Sequence, residues 1–217
     1  MLTQLKQGIL FTVVTMVLLG GGYNLFLWGV GRVAFADQAD GSLIRRADGS
    51  IAGSRLIAQK FTKAEYFHSR PSGVDYNAAS TGGTNYGPSN PDHLKTVQER
   101  LDAITKDEGV APAQVSSEMV TASGAGLDPH IPPAAAELQA QRVASARGVA
   151  VDRVRELIRR HTESPTFGFL GRARVNVLEL NLALDETRSP ERREGAERAS
   201  GEEPRAAFGG GAPNATK

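Results

Sequence analysis

This chain of 217 residues has 25 Lys and Arg against 24 Asp and Glu, so its formal net charge is only +1 at pH 7. That balance excludes binding to nucleic acid through overall charge, and we predict no nucleic-acid partner. The absence of cysteine excludes disulfides, thiolate metal ligands and thiol catalysis.

The N-terminal segment is apolar enough to cross a membrane. From Gln7 to Gly31 it contains no Asp, Glu, Lys, Arg or His, and a helix of that length exceeds the roughly 30 Å hydrocarbon core. We predict a transmembrane helix over residues 9–31, after a cytoplasmic N-terminus of residues 1–8. A cleaved signal peptide is the alternative, because the Ala-Phe-Ala run at 34–36 fits the cleavage pattern. The apolar stretch is longer than a signal sequence needs, which favours a retained anchor.

The sidedness of the rest of the chain is predicted from the commonest, N-inside arrangement. Lys6 precedes the apolar segment and Arg32 follows it directly, so positive charge discriminates only weakly between the two orientations. We expect a single-pass protein of the cell inner membrane, with lipid around its anchor. Residues 32–185 are then one soluble extracytoplasmic domain.

Between residues 42 and 90 the pattern indicates short strands followed by a long loop. Apolar runs at 42–44 and 55–58 alternate with glycines, which predicts two short strands there. From Arg70 to Asn90 the chain is rich in Ser, Gly, Asn and Pro, a composition typical of an ordered or functional loop.

Three helices are predicted in the middle of the chain. The first is capped by Asn90, has Pro91 in its first position and stops at Gly109. The second runs from Pro133 to Gly148 and has a face of small residues. The third runs from about Val151 to His161, with one apolar stripe and arginines around it.

The segment from Val175 to Asp185 has two interpretations. Its leucines alternate as in a strand, whereas Asn176 followed by Glu179 resembles a helix cap, and we favour the helix. Residues 186–217 contain almost no large apolar side chain and are predicted to be a disordered tail. The expected fold class is α+β: a single N-terminal transmembrane helix, one mixed α/β extracytoplasmic domain and this tail.

Charge is unevenly distributed along the domain. Residues 92–137 contain 3 basic and 8 acidic side chains, and residues 138–174 contain 8 and 3. The simpler interpretation is two solvated helix faces that pair with each other, and a partner-docking patch is the alternative. A further hypothesis is that the acidic run raises the local concentration of cations.

The sequence contains none of the spacings that mark common catalytic sites. The motifs GxxxxGK[ST], HExxH and GxSxG are all absent. The four histidines include no i, i+4 pair, and we predict neither a metal site nor a catalytic residue. The glycine-rich runs at 82–83 and 123–126 are interpreted as tight turns, with a backbone contact to a ligand as the alternative.

Taken together, the order and spacing of these uncommon loops resemble the C subunit of the Kdp-type potassium-transporting ATPase over nearly the whole chain. The similar segments, by residue number, are 53–59, 66–67, 70–72, 76–77, 82–85, 87–91, 120–124, 126–131, 139–147, 167–168, 175–178 and 182–185. The sequence departs from the family pattern at Ala58, Ala125 and Pro132, and no charged or aromatic position is lost. On this resemblance, the positions expected to shape loops or contact partners are Gln59, Arg70, Pro71, Ser72, Asn85, Asn90, Ser123, Gly124, Gly126, Asp128, His130, Gln139, Arg142, Arg147 and Asn176.

The resemblance implies a non-catalytic accessory subunit of a high-affinity, ATP-driven potassium uptake pump. Its implied partners are a potassium-channel-like subunit, a phosphorylating P-type ATPase subunit and a small membrane peptide. ATP hydrolysis would belong to the partner, whose ATP affinity this subunit would raise as a catalytic chaperone. No cofactor is assigned to this chain alone, and ATP would be shared with that partner or affected on it. An extracytoplasmic domain lies where ATP is scarce, so such an effect requires coupling across the membrane.

Two alternatives from other classes stay open at this point. One is a stand-alone, membrane-anchored, exported ligand-binding domain. The other is a hydrolase that uses residues such as Asp75, Asp92 and His130, although these positions match no known catalytic spacing.

Overall fold

A computed structural model describes residues 1–46 and 48–187 of the chain. The predicted tail therefore lies outside the described residues from residue 188 onward, while residues 186 and 187 belong to the last helix. The mixture of helices with two small sheets confirms the predicted α+β character.

The N-terminus is one long helix, Leu2–Ala34, in which no residue is buried. It consists of α1 (Leu2–Thr15), a π-helical segment (Met16–Gly22) and α2 (Tyr23–Ala34). Its 33 residues correspond to about 50 Å, which is more than a bilayer core requires. The helix is longer than the predicted transmembrane span of residues 9–31. That prediction counted only residues that can lie in hydrocarbon, whereas Lys6 and Arg32 are good helix formers and continue the helix beyond the uncharged stretch.

A short helix and a β-hairpin follow the anchor. These are α3 (Ala36–Ala39), β1 (Leu43–Arg45) and β2 (Ile51–Ser54), with β1 and β2 antiparallel. The prediction of a strand at 55–58 is wrong, because the turn at Gly49, with φ of +82°, brings 51–54 opposite β1. The apolar run at 55–58 instead forms a turn, in which Leu56 is 60% exposed.

The three central helices are confirmed close to their predicted bounds. They are α4 (Pro91–Glu108), α6 (Pro133–Arg147) and α7 (Val151–Arg160). Gly109 and Gly148 end α4 and α6 in the left-handed conformation that glycine adopts without strain. Between α4 and α6 lie a 3₁₀ turn (Pro112–Gln114) and α5 (Ser117–Val120).

A three-stranded antiparallel sheet joins the last third of the chain. Its order is β3 (His130–Ile131), β5 (Arg174–Asn176) and β4 (Thr162–Glu163). Helix α8 covers residues 177–187 directly after β5. The ambiguous segment is therefore mostly helical, as favoured, and its alternating leucines do not form a strand.

The core lies between α6, α7, α8 and the three-stranded sheet. Phe67 is completely buried at its centre, although it belongs to an extended segment outside both sheets. The other large apolar side chains that are fully buried among the described residues are Ile131, Val143, Val154, Ile158, Val175, Val177, Leu180 and Leu184. Helix α4 has no buried residue and packs on the outside of α6.

Candidate functional site

More than half of the predicted site positions gather where three loops meet. We call this the loop cluster: residues 70–76, 82–85 and 123–130. Backbone hydrogen bonds join the loops, from Ser123 N to Pro71 O (3.3 Å) and from Gly82 N to Ala125 O (3.2 Å). The long loop predicted from residue 70 is thus ordered by contact with a second glycine-rich segment that lies far away in the sequence.

Glycines allow the backbones of these loops to approach closely. A Cβ atom on Gly126 would lie 2.7 Å from Val74 Cγ2 and 2.9 Å from Ser72 Oγ, and one on Gly83 would lie 2.9 Å from Gly124 O. Gly126 N donates to Ser123 O at 3.1 Å, which closes a tight turn. The tight-turn interpretation is confirmed at 123–126. Residues 82–83 form no turn, and their glycines instead allow contact with another loop of the same chain.

Ser72 and Tyr76 fold the first loop of the cluster back on itself. The Ser72 Oγ accepts from the backbone N–H of Val74 (3.2 Å) and of Tyr76 (2.9 Å), and the Tyr76 hydroxyl donates to Arg70 O at 2.8 Å. Burial raises the pKa of Tyr76, and the nearby Asp75 adds to this effect. The phenol therefore stays neutral and able to donate throughout the physiological range.

Arg70, Asp128 and His130 form the charged centre of the loop cluster. Arg70 Nη1 lies 3.0 Å from Asp128 Oδ2, while Asp128 Oδ1 accepts from His130 N at 3.0 Å and lies 3.6 Å from His130 Nδ1. Burial raises the pKa of Asp128, but hydrogen bonds from His130 and the charge of Arg70 outweigh it and hold this pKa below its ordinary value. Asp128 is therefore a carboxylate that fixes both neighbours.

A cleft of about 410 Å³ opens beside this centre. Besides Arg70, Asp128 and His130, it is lined by Glu118, Ile131, Pro132, Arg172, Ala173 and Arg174. Three arginines and one histidine face two carboxylates there, a composition suited to an anionic side chain of a partner. Within residues 1–46 and 48–187, no group of three or more His, Asp or Glu is placed to hold a metal ion.

A second group of predicted positions lies on α6 and binds the backbone of the segment 64–68, whose Phe67 is buried. Gln139 accepts from His68 N (2.7 Å) and donates to His68 O (3.2 Å). Arg142 Nη1 donates to Ala64 O (2.6 Å) and Tyr66 O (2.9 Å). Arg147 Nε donates to Glu65 O (2.6 Å), and its guanidinium lies 4.9 Å from the centre of the Tyr66 ring. These three side chains attach the segment to the helix.

Arg142 also joins the acidic and basic halves of the domain. Its Nε lies 2.8 Å from Glu108 Oε1 at the end of α4, and the two side chains are only 12% and 6% exposed. A second pair, Arg155 with Glu137, lies at 3.3 Å on the surface. Pairing between the two charged runs is therefore confirmed at these positions, and Glu108 is not part of a solvated acidic face.

Asn85, within the loop cluster, and the three remaining predicted positions support local structure. Gln59 Nε2 donates to Ala52 O (3.3 Å), and Asn90 Oδ1 accepts from the first turn of α4. Asn85 has the left-handed φ of +54° that asparagine tolerates in turns. Asn176 accepts from Glu179 N (3.2 Å) and donates to Arg55 O (2.8 Å), so it caps α8 and holds the β1–β2 hairpin.

Sequence reasoning missed Asn181, which is as deeply buried as Gln139. Asn181 accepts from Phe67 N (2.8 Å) and donates to Phe67 O (3.0 Å), across 114 positions of the chain. The feature of the sequence that could have identified Asn181 is a single amide side chain among the leucines of α8. A buried amide needs partners for both its ends, so its presence on an apolar face predicts such a pair.

The structure does not assemble the three residues considered for a hydrolase. Asp75 pairs with Lys60 at 2.6 Å, Asp92 lies in the exposed first turn of α4, and His130 contacts Asp128. Each has a different environment, so they do not form a nucleophile with its base.

Comparison with known proteins matches the chain with one family. The family described as "KdpC: K+-transporting ATPase, c chain" matches residues 5–186. The potassium-transporting ATPase KdpC subunit of Koribacter versatilis is 48% identical over 185 residues, which are 84% of this chain and 94% of that protein. The subunit of the same name from Geobacter metallireducens is 46% identical over 187 residues, 85% and 98% of the two chains. That of Xanthomonas oryzae is 45% identical over 181 residues, 83% and 86%.

Proposed function

The chain belongs to the KdpC family, the c chains of K⁺-transporting ATPases, and we propose that it is a non-catalytic subunit that assembles or stabilises such a pump. One observation carries this proposal: polar side chains at the family positions bind the chain's own backbone, while no residue of the apolar helix Leu2–Ala34 is buried. An exposed apolar helix beside a rigid domain is suited to a membrane-embedded partner.

We expect three partners in the pump: a potassium-channel-like subunit, a phosphorylating P-type ATPase subunit and a small membrane peptide. The test is mild detergent extraction followed by size-exclusion chromatography of the tagged full-length chain. Co-migration with a large multi-pass ATPase supports the proposal. A stable monomer under conditions that keep other membrane complexes intact supports a stand-alone ligand-binding domain instead.

The folded domain is proposed to lie on the extracytoplasmic side of the inner membrane. Because the chain has no cysteine, single cysteines introduced at exposed positions report sidedness directly. A membrane-impermeant maleimide applied to intact cells should label Ser80→Cys, an exposed position of the domain, while Thr3→Cys should be labelled only after permeabilisation. The opposite pattern would place the domain in the cytoplasm.

The subunit is proposed to raise the ATP affinity of the ATP-hydrolysing partner by coupling across the membrane. Coupling of this kind typically changes an affinity by about 5- to 150-fold. Pump prepared from cells that lack this chain should therefore show a higher KM for ATP, and adding the chain back should lower it. Labelling of this chain by a photoreactive ATP analogue within the assembled pump would show shared contact and contradict coupling at a distance.

A further inference from the structure

The loop between β4 and β5 exposes an unusual amount of apolar surface. In this β4–β5 loop, residues 164–173, Phe167 is 84% exposed, Phe169 75% and Leu170 49%. A single exposed apolar residue needs no explanation, but three within four positions form a patch that water solvates poorly. Such a patch is expected where another surface covers it.

The loop is held in one conformation by its own backbone. Thr166 and Leu170 exchange two hydrogen bonds of 2.9 Å each, and Gly168 N donates to Pro165 O at 2.9 Å. Phe167 has φ of +54°, a left-handed conformation that bulky residues rarely adopt. An aromatic residue kept in a rare conformation at an exposed tip is a feature from which function can be inferred.

The charge beside the tip is positive. Arg172 follows the apolar residues, its side chain is 90% exposed, and its nearest carboxylate is Glu118 at 3.5 Å. Arg174 pairs with Glu163 at 2.8 Å, and both arginines line the cleft of about 410 Å³ described above. The complementary surface is therefore an apolar groove with carboxylates at its edge.

The β4–β5 loop and the β1–β2 hairpin attach to opposite ends of β5. The loop leaves the sheet at the pair Glu163 and Arg174. The β1–β2 hairpin, which follows the anchor, is tied to the other end of β5, where Asn176 donates to Arg55 O at 2.8 Å. Arg55 also lies 3.7 Å from Glu179 in α8. The loop is thus attached at the end of β5 away from the hairpin that follows the anchor, which favours a protein occupant over the bilayer.

We propose that the β4–β5 loop docks Phe167 and Phe169 into an apolar, acid-edged groove on the aqueous face of another subunit of the pump. This inference rests on the proposed function, because it requires a pump in which the chain has partners. It adds the surface that is used and the chemistry of the groove that receives it.

The test compares rebinding of full-length chains to pump prepared without this subunit. The variant Phe167→Asn with Phe169→Ser removes both rings and keeps a residue that tolerates the left-handed conformation. The matched control, Ile51→Thr with Leu56→Ser, removes exposed apolar side chains at the hairpin, where the exposures are 52% and 60%. We expect the loop variant to bind about tenfold more weakly or worse, the control to bind like the wild type, and both to keep the wild-type melting temperature.

A photoreactive benzoyl-phenylalanine in place of Phe167 then identifies the occupant. A cross-link to another pump subunit supports the proposal. A cross-link to phospholipid, to a second copy of the chain or to residues 188–217 overturns it, and so does wild-type affinity of the loop variant. If the wild-type chain itself does not rebind, the proposed function is overturned as well, so the two failures are distinguishable.

Discussion

Side chains from α6 and α8 form hydrogen bonds with the backbone of the segment 64–68, as a neighbouring strand would in a sheet. Phe67 is completely buried, so its N–H and C=O must find partners away from water. Asn181 supplies both to Phe67, and Gln139 supplies both to His68, in each case with one accepting and one donating bond. This arrangement places an aromatic residue in the core without extending either sheet.

Gln139→Leu should destabilise the chain strongly, because the partly buried backbone N–H and C=O of His68 lose their partners. At about 1–3 kcal/mol for each unsatisfied group, we expect the free energy of unfolding to fall by about 2–4 kcal/mol. Urea unfolding of the full-length chain in detergent measures this. Gln141→Leu is the control, since Gln141 lies exposed on the same helix and bonds only to Ser145. Equal effects of the two substitutions would contradict the assigned role of Gln139.

Glu108 is a carboxyl group whose burial conflicts with its charge. Burial raises the pKa of Glu108 above its ordinary value of 4.5, and the hydrogen bond from Arg142 only partly offsets this. Between pH 4.5 and the raised pKa, Glu108 is therefore protonated more often in the folded chain than in the unfolded chain. Glu108 thus makes the free energy of unfolding decrease as pH rises through that window.

Glu108→Gln should remove this contribution to the pH dependence. Between pH 4.5 and neutrality, the variant should lose less stability than the wild type, or gain more, with the difference confined to the window in which Glu108 titrates. Urea unfolding at closely spaced pH values measures the slope. Ala103→Ser, an exposed substitution on the same helix that changes no titratable group, should leave the slope unchanged. An unchanged slope in Glu108→Gln would contradict the raised pKa of Glu108.

At the scale of the elements, the loop cluster is ordered by contact between backbones. Apart from His130, which begins β3, its residues have no regular secondary structure. The loops approach each other closely because glycines stand where a side chain would collide. The charged group of Arg70, Asp128 and His130 rests on this scaffold. The cleft can keep its shape only while the loops stay in contact.

Gly126→Ala should loosen the loop cluster. The added Cβ would lie 2.7 Å from Val74 Cγ2, and the φ of +71° is strained for alanine. We expect a loss of about 1–3 kcal/mol in the free energy of unfolding. Gly124→Ala is the matched control, because its Cβ would have no heavy atom within 4 Å. If both variants melt at the wild-type temperature, close approach at Gly126 does not support the fold.

The anchor helix contains a π-helical irregularity that its own residues explain. Its π-helical segment ends at Gly22, and Asn24 Nδ2 donates back to Gly20 O at 2.7 Å and Leu19 O at 3.4 Å. An amide in lipid needs such a partner, since no water is available there. The three glycines at 20–22 leave a surface on which another helix can pack closely.

At the scale of the whole molecule, the two charged halves are only partly solvated. Glu108 is used inside the domain by Arg142, whereas Glu99, Asp102 and Asp107 stay exposed on α4. Any effect of the acidic run on cations therefore comes from the exposed carboxylates alone. Their field is screened over about 10 Å at 0.1 M salt.

Neutralising Asp102 and Asp107 with asparagine tests the hypothesis of local cation enrichment. We expect potassium uptake to lose apparent affinity by roughly two- to threefold at low ionic strength and to recover at high ionic strength, since screening removes the field. Asp152→Asn is the control, because Asp152 is exposed on α7 within the basic run. Unchanged apparent affinity at low ionic strength would exclude the hypothesis.

The sequence by itself determined those features that depend on neighbours a few residues apart. The apolar anchor, the cap of α4 by Asn90 and its stop at Gly109 were all predicted, because the interacting groups are adjacent in the chain. The family resemblance was predicted for the same reason, since it rests on short loop motifs in a fixed order. The predicted bounds of the anchor helix and of the second strand were less accurate, because the sequence alone does not fix where a helix ends or which residues form a short turn.

Only the tertiary structure decided how distant residues use each other. Phe67 meets Asn181 across 114 positions, Glu108 meets Arg142 across 34, and Arg55 meets Asn176 across 121. Short-range sequence patterns contain no information about these contacts. They therefore predicted an exposed charge at Glu108 and did not identify Asn181. The physical reason is burial: a polar group removed from water must be satisfied by whatever the fold brings beside it.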